Sequence, residues 1–204
     1  MWRQALARWS QTAYGLVHSV TMSSRLDLGN INRIGSSVTE SFGWFPRKDQ
    51  FDSSVEHRPY KEDDFRLEDG DVTNVVSNLK ANLLSLLLVD LAALTDELLT
   101  SIMTTKGKKL EDFPFLSNKA KAVTCATEQE WARRGVLELN VIRNCFVHND
   151  GKWSSRGLKD IGAVVTNITA QDGDPVTVNY EDIFRYKRAV RTLLNQAEAN
   201  GFAP

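Results

Sequence analysis

A leucine-rich segment constrains the fold of this chain more than any other feature. Between Val72 and Met103, apolar side chains recur at helical spacing and define one wide face, made of Val75, Val76, Leu79, Leu83, Leu86, Leu87, Leu91, Leu94, Leu98 and Ile102. This pattern predicts one long core helix, or two abutting helices. The longest apolar run, residues 83–89, ends at Asp90 and is far shorter than the roughly 20 residues that span a bilayer. We therefore expect a buried helix and no membrane contact.

The chain opens with a second amphipathic pattern, which gives way to an irregular segment. Its apolar residues recur at helical spacing and predict an N-terminal helix: Trp2, Ala5, Leu6, Trp9, Ala13, Leu16 and Val17. From Ser19 to Gly70 the periodicity is lost, and scattered aromatic residues suggest an irregular arm over the core. We accordingly divide the chain into residues 1–71, a helix with an arm, and residues 72–204, a helical domain.

A capping pattern predicts the start of a second core helix. Thr127 and Glu130 have the Thr-x-x-Glu spacing of a capping box. The helix should run to about His148, because the Asn-Asp-Gly sequence at 149–151 tolerates the left-handed backbone that ends helices.

The last part of the sequence predicts a hairpin and a closing helix. Residues 163–178 hold two β-branched stretches around a Gln-Asp-Gly-Asp-Pro turn, which is a hairpin signal. Asn179 is placed to cap a helix from Tyr180 to Ala199. The predicted fold class is a mainly α-helical bundle with a small β-hairpin before the last helix.

The charge balance and the cysteine count narrow the function classes. Lys and Arg total 25 against 26 Asp and Glu, for a net charge of -1, so any attraction to nucleic acid must come from a local patch. The basic connection carrying Lys106, Lys108, Lys109, Lys119 and Lys121 is either a solvated loop or a phosphate-binding segment. With two separated cysteines and three histidines, we expect no metal site, no cofactor and a reduced, cytoplasmic compartment.

The candidate chemistry lies on the helix predicted to end at His148. Asn140, Asn144 and His148 follow one another at four-residue steps and form a polar stripe. Arg143 falls on a different side, among residues that belong in a core, where it needs an acceptor. The leucine-rich helix offers Asp90, Asp96 and Glu97 as carboxylate partners. The alternative is that Arg143 forms a structural ion pair and His148 merely ends its helix.

The run Arg143-Asn144-Cys145-Phe146-Val147-His148 resembles the R-(polar)-x-x-x-H motif of the HEPN superfamily of ribonucleases and nucleotide-binding domains. Its setting is similar as well: a leucine-rich helix with an acidic interruption precedes it, and a glycine, a hairpin and a closing helix follow. The likeness covers about Val72 to Ala199 and is greatest to HEPN-like proteins of prokaryotic toxin and phage-defence systems. One departure is Asp150, where the subgroup with a nucleotidyltransferase antitoxin usually carries tyrosine.

The resemblance implies metal-independent endoribonuclease activity, in which the RNA 2′-hydroxyl attacks its own phosphodiester. His148 would then transfer protons, Arg143 would stabilise the phosphate, Asn144 would orient either group, and Asp96, or alternatively Glu97, would position Arg143. The RNA phosphates would be held further by Lys106, Lys108, Lys109 and Asn149.

The resemblance also implies partners. HEPN domains commonly form homodimers, and those of toxin systems act with an antitoxin or regulatory protein. Arg143 and His148 are five residues apart and therefore about 140° apart on a regular helix, so a distorted last turn or a two-fold dimer would be needed to bring the motif together. The alternative function is a non-catalytic RNA- or protein-binding dimerisation module.

Overall fold

The computed structural model describes residues 2–23, 72–166 and 168–203, without the side chains of 23 and 72–79. The described part of the chain is mainly α-helical, which confirms the coarse fold class. Its six α-helices are α1 (Trp2–Ser23), α2 (Val72–Thr105), α3 (Leu116–Ala122), α4 (Glu130–His148), α5 (Ser155–Gly162) and α6 (Tyr180–Asn200), and two 3-10 turns cover Leu110–Asp112 and Thr127–Gln129.

The chain forms two compact units, one made of Met1–Val17 with Ala81–Pro204 and the other of His18–Lys80. In the second unit the described residues are the end of α1 and the beginning of α2. Most of the predicted aromatic arm, from residue 24 onward, lies outside the described residues, and the division at residue 71 stays a prediction.

Helix α4 is the central element of the first unit, because α3, α5 and α6 all pack against it. Its inward side chains join the core together with those of α6. The largest fully buried members of this contact are Val136, Leu139, Ile183, Tyr186, Val190, Leu193 and Leu194. A partly buried Glu138 on α4 receives two hydrogen bonds from Arg185, at 2.7 and 2.8 Å, and one from the Tyr186 hydroxyl at 2.7 Å. The α4–α6 contact is thus apolar in its centre and charged at this edge.

Helix α2 is one continuous helix, the first of the two possibilities that the leucine pattern allows, but its buried face is shifted from the predicted face. Leu87, Leu91 and Leu98 are buried, whereas Leu86 is 66% exposed. Val75, Val76 and Leu79 lie outside the residues whose side chains are described. Leu86 is exposed because the residues facing the core follow a stripe through Leu84, Leu88, Ala92, Thr95, Leu99 and Met103.

The ends of α4 and α6 show which capping predictions hold. The predicted capping box of α4 is absent: Thr127 opens a 3-10 turn, and Glu130 forms an ion pair with Arg133 at 2.9 Å instead of reaching back. The predicted end at His148 is confirmed, and Asp150 follows with φ of 53°. Asn179 does cap α6 in a reciprocal capping box, as its sequence indicates.

The predicted β-hairpin at 163–178 is not confirmed, since the described residues include no regular strand. The second β-branched stretch pairs instead with the segment that follows α4. Trp153 N–H donates to the Asp174 carbonyl at 2.8 Å, and Val176 N–H donates to the Gly151 carbonyl at 2.7 Å. Because Gly151 and Trp153 satisfy these backbone groups, they replace the first β-branched stretch as the partner.

Helix α1 joins the hydrophobic core with the face that its pattern predicts. Trp2, Leu6, Trp9 and Ala13 are buried, although Leu16 is 42% exposed. Among the helices of the described ranges, none has both the length and the apolarity needed to cross a lipid bilayer.

Candidate functional site

A groove with a volume of about 1230 Å³ runs between α2, α4, α5 and the segment at 114–121. One wall comes from α2, and the floor is the outward side of the second half of α4. The polar and charged lining residues are Asp96, Glu97, Ser117, Lys121, Asn140, Arg143, Asn144, His148, Asn149, Ser154, Arg156 and Asp160. All four predicted catalytic residues, Arg143, Asn144, His148 and Asp96, therefore line one groove of a single chain.

Arg143 belongs to this groove because its side chain bends toward Asn144. Its Nη1 donates a hydrogen bond to Asn144 Oδ1 at 2.9 Å. Helix α4 is regular through His148, so Arg143 leaves the backbone about 140° away from His148, as expected. Asn144 lies one turn before His148 on the same stripe. The bend of Arg143, rather than a distorted helix end, brings the three side chains to one groove.

The guanidinium of Arg143 remains available to a ligand. Among the described residues no carboxylate forms an ion pair with it, and Asn144 is its hydrogen-bond partner. A guanidinium carries five N–H donors in a fixed fork that matches a phosphate. Most of these donors face no acceptor of the described chain and can bind an anion.

His148 is the exposed last residue of α4. No hydrogen bond joins its imidazole to another described residue, so nothing in this part of the chain fixes which ring nitrogen carries the proton. The exposed ring can exchange protons with water or with a ligand in the groove.

Asp96 does not position Arg143, contrary to the role expected for it. Its carboxylate accepts a hydrogen bond from the Lys119 ammonium at 2.8 Å. Lys119 is the buried partner, with a side chain only 8% exposed, while Asp96 is 41% exposed. Since α3 brings this buried cation next to α2, the carboxylate compensates Lys119. The alternative, Glu97, is exposed and forms no ion pair with Arg143 either.

The four predicted RNA-binding residues either lie outside the groove or already have a hydrogen-bond partner. Lys106, Lys108 and Lys109 do not line the groove, and Lys108 donates to the Ala203 carbonyl at 3.0 Å. Asn149 does line the groove, but its amide donates to Ser154 Oγ at 3.2 Å and so supports the start of α5. The lysines lie outside the groove because they follow the end of α2, whereas the groove is lined by an earlier part of that helix.

Of three further groove residues, Lys121 belongs to the basic connection named above as a possible phosphate-binding segment, whereas Arg156 and Phe115 were not predicted from the sequence. Lys121 and Arg156 add cationic groups, and Phe115 adds an aromatic ring that is 69% exposed. Arg156 lies on α5, a helix that was not predicted, although Ser154 is a recognisable N-cap residue that accepts from Gly157 N–H at 3.1 Å. The exposure of Phe115 could not be predicted from the sequence, because an aromatic residue between Phe113 and Leu116 is expected to be buried in the core.

Cys145 also lines the groove, and it is not poised for nucleophilic chemistry. It is buried, and burial raises the pKa of its thiol above the ordinary value. The thiolate is therefore disfavoured near neutral pH. Within the described ranges, no group of three or more His, Cys, Asp and Glu side chains forms a candidate metal site.

Comparison with protein-family models, with curated proteins and with solved structures finds no match.

Proposed function

We propose that the groove binds RNA and cleaves it without a metal ion. The 2′-hydroxyl attacks the neighbouring phosphate and the bond from phosphorus to the 5′-oxygen breaks, which leaves a 2′,3′-cyclic phosphate on one product and a 5′-hydroxyl on the other. The observation that carries the proposal is that Arg143, Asn144 and His148 line one groove. The resemblance of this motif to that of HEPN ribonucleases supports the same chemistry. The proposal includes a cytoplasmic setting in toxin-antitoxin or phage-defence biology, with a homodimer and a regulatory partner.

The roles follow from the state of each side chain. Arg143 offers free N–H donors to the phosphate, whose oxygens gain charge in the transition state. Asn144 holds the guanidinium at the groove through the 2.9 Å hydrogen bond and is a positioning residue. His148 is accessible to water, and an imidazole can both accept and donate a proton, which suits proton transfer to or from the RNA oxygens.

The experiment is an RNA cleavage assay in EDTA with analysis of the product ends. We expect the wild-type protein to leave 2′,3′-cyclic phosphates. His148→Ala should cleave at least about a hundredfold more slowly, which is the contribution typical of acid–base catalysis. The matched control is His18→Ala, which removes another exposed histidine outside the groove. Arg143→Ala should also lose cleavage, whereas Arg134→Ala, an exposed arginine of α4 outside the groove, should not.

One observation favours a second candidate function, a non-catalytic RNA-binding module. The His148 imidazole has no hydrogen-bond partner among the described residues, whereas a general base is usually oriented by one. If the folded wild-type protein binds RNA through Arg143 but leaves it intact in every condition, this second function replaces the first. Cleavage by His148→Ala at the wild-type rate would also reject the catalytic proposal.

A further inference from the structure

Phe115 is an aromatic side chain held in water on the wall of the groove. At 69% exposure it is the most exposed large apolar side chain among the described residues. Leaving an aromatic ring in water forgoes the free energy of burial. The proposed catalytic roles of Arg143, Asn144 and His148 do not use this ring.

The local backbone fixes the outward position of Phe115. The residue has an extended backbone, with φ of -121° and ψ of 154°. Phe113 packs against the core on one side and Leu116 is buried on the other. The Phe115 carbonyl accepts hydrogen bonds from the N–H groups of Asn118 at 3.0 Å and Lys119 at 3.1 Å. An anchored backbone has little conformational freedom left to lose, which lowers the entropy cost of using the ring in binding.

The charged groups that line the same groove as Phe115 are suited to binding a polyanion. Lys121 and Arg143 line the same groove, and neither forms an ion pair with a described carboxylate. Of the three groove carboxylates, Asp96 and Asp160 are engaged in ion pairs at 2.8 and 3.9 Å, which leaves Glu97 alone. The unpaired cations therefore outnumber the unpaired carboxylates, and a phosphate backbone complements this balance.

We infer that Phe115 stacks on an unpaired base of the RNA, and that the substrate of the groove is single-stranded RNA. This inference rests on the proposed function. A flat ring that shares a groove with unpaired cations matches the alternating base and phosphate of a single strand. In double-stranded RNA the faces of the bases are already stacked on one another and cannot reach the ring.

The experiment measures binding of the full chain to a short single-stranded RNA of mixed sequence and to the same RNA as a blunt duplex. Both probes carry 2′-O-methyl groups, which block the 2′-hydroxyl attack, and fluorescence anisotropy reports binding. We expect the single strand to bind more tightly than the duplex. Phe115→Leu, which keeps an apolar side chain but removes the ring, should weaken single-strand binding by about tenfold. Phe115→Trp should keep the affinity.

The matched control is Trp131→Leu, which removes an exposed aromatic side chain of α4 outside the groove and should leave binding unchanged. Equal affinity of Phe115→Leu and the wild type, or equal affinity for strand and duplex, would overturn the inference. If Arg143→Ala weakens binding while Phe115→Leu does not, only the stacking role fails and the proposed function stands. If the wild-type protein binds neither RNA at low salt, both fail together.

Discussion

Gly135 allows α4 and α6 to approach each other, and replacing it by alanine should loosen the centre of the fold. A Cβ atom at Gly135 would lie 2.6 Å from Ala189 Cβ, whereas carbon atoms in contact are about 3.5–4.0 Å apart. An alanine methyl group has no rotamer that avoids the clash, so the helices must separate by about 1 Å. Overpacking of this kind costs about 3 kcal/mol. The better helix propensity of alanine returns about 1 kcal/mol.

We therefore expect Gly135→Ala to lower the free energy of unfolding by about 2 kcal/mol, measured by urea denaturation with circular dichroism. The matched control is Gly15→Ala in α1, where nothing lies within 4 Å of the added methyl group and propensity alone should stabilise. Ala189→Gly alone should cost about 1 kcal/mol. The double variant Gly135→Ala/Ala189→Gly only moves the methyl group to the other helix and should come within about 1 kcal/mol of wild type. Additive losses in the double variant would refute the close-approach argument.

Two further predictions concern the ionisable groups that hold the helices together. Burial and the neighbouring Glu138 carboxylate raise the pKa of Tyr186 above its ordinary value of 10.0. The contribution of Tyr186 to the free energy of unfolding is therefore complete below pH 10. It is lost as the pH rises further, because the unfolded chain releases the phenol proton first. The urea midpoint should fall above pH 10 more steeply for the wild type than for Tyr186→Phe, and parallel curves would contradict this. Asp96→Asn should cost about 2 kcal/mol by leaving the buried Lys119 ammonium without its carboxylate. A second change, Lys119→Met, should recover most of the loss in the same unfolding assay, and no recovery would show that the cost has another origin.

Long apolar faces made most of the helices predictable. The pattern of α2 indicates a continuous helix, and Asn179 marks the start of α6 because its capping box depends on residues close in sequence. Helix α5 covers only Ser155–Gly162 and has few apolar residues. A segment this short shows too few repeats of an apolar pattern for a helix to be predicted. The hairpin prediction failed since the partner of Val176 is Gly151, and tertiary pairing decides between equally suitable partners.

The sequence predicts which residues of α4 line the candidate site, but not which side chains contact one another there. The motif of α4 places Asn144 and His148 on one stripe, and the groove contains both. The sequence does not show that the Arg143 side chain bends toward Asn144, because the helix spacing alone separates it from His148. It also does not show that Lys119, which lies on a different helix, takes the Asp96 carboxylate. Side chains that meet only through tertiary packing have no fixed spacing in the sequence, so their contacts cannot be predicted from it.

The groove residues all come from one continuous stretch of chain, between Ala92 and Val164, whereas the helix that covers the buried face of α4 comes later. During synthesis on the ribosome, every groove side chain therefore leaves the exit tunnel before α6 does. Until Tyr180–Asn200 emerges, Val136 and Leu139 lack their α6 partners, and of α3, α5 and α6 only the first two can pack against α4. The core packing beneath the groove is therefore completed only after the α6 segment has been made.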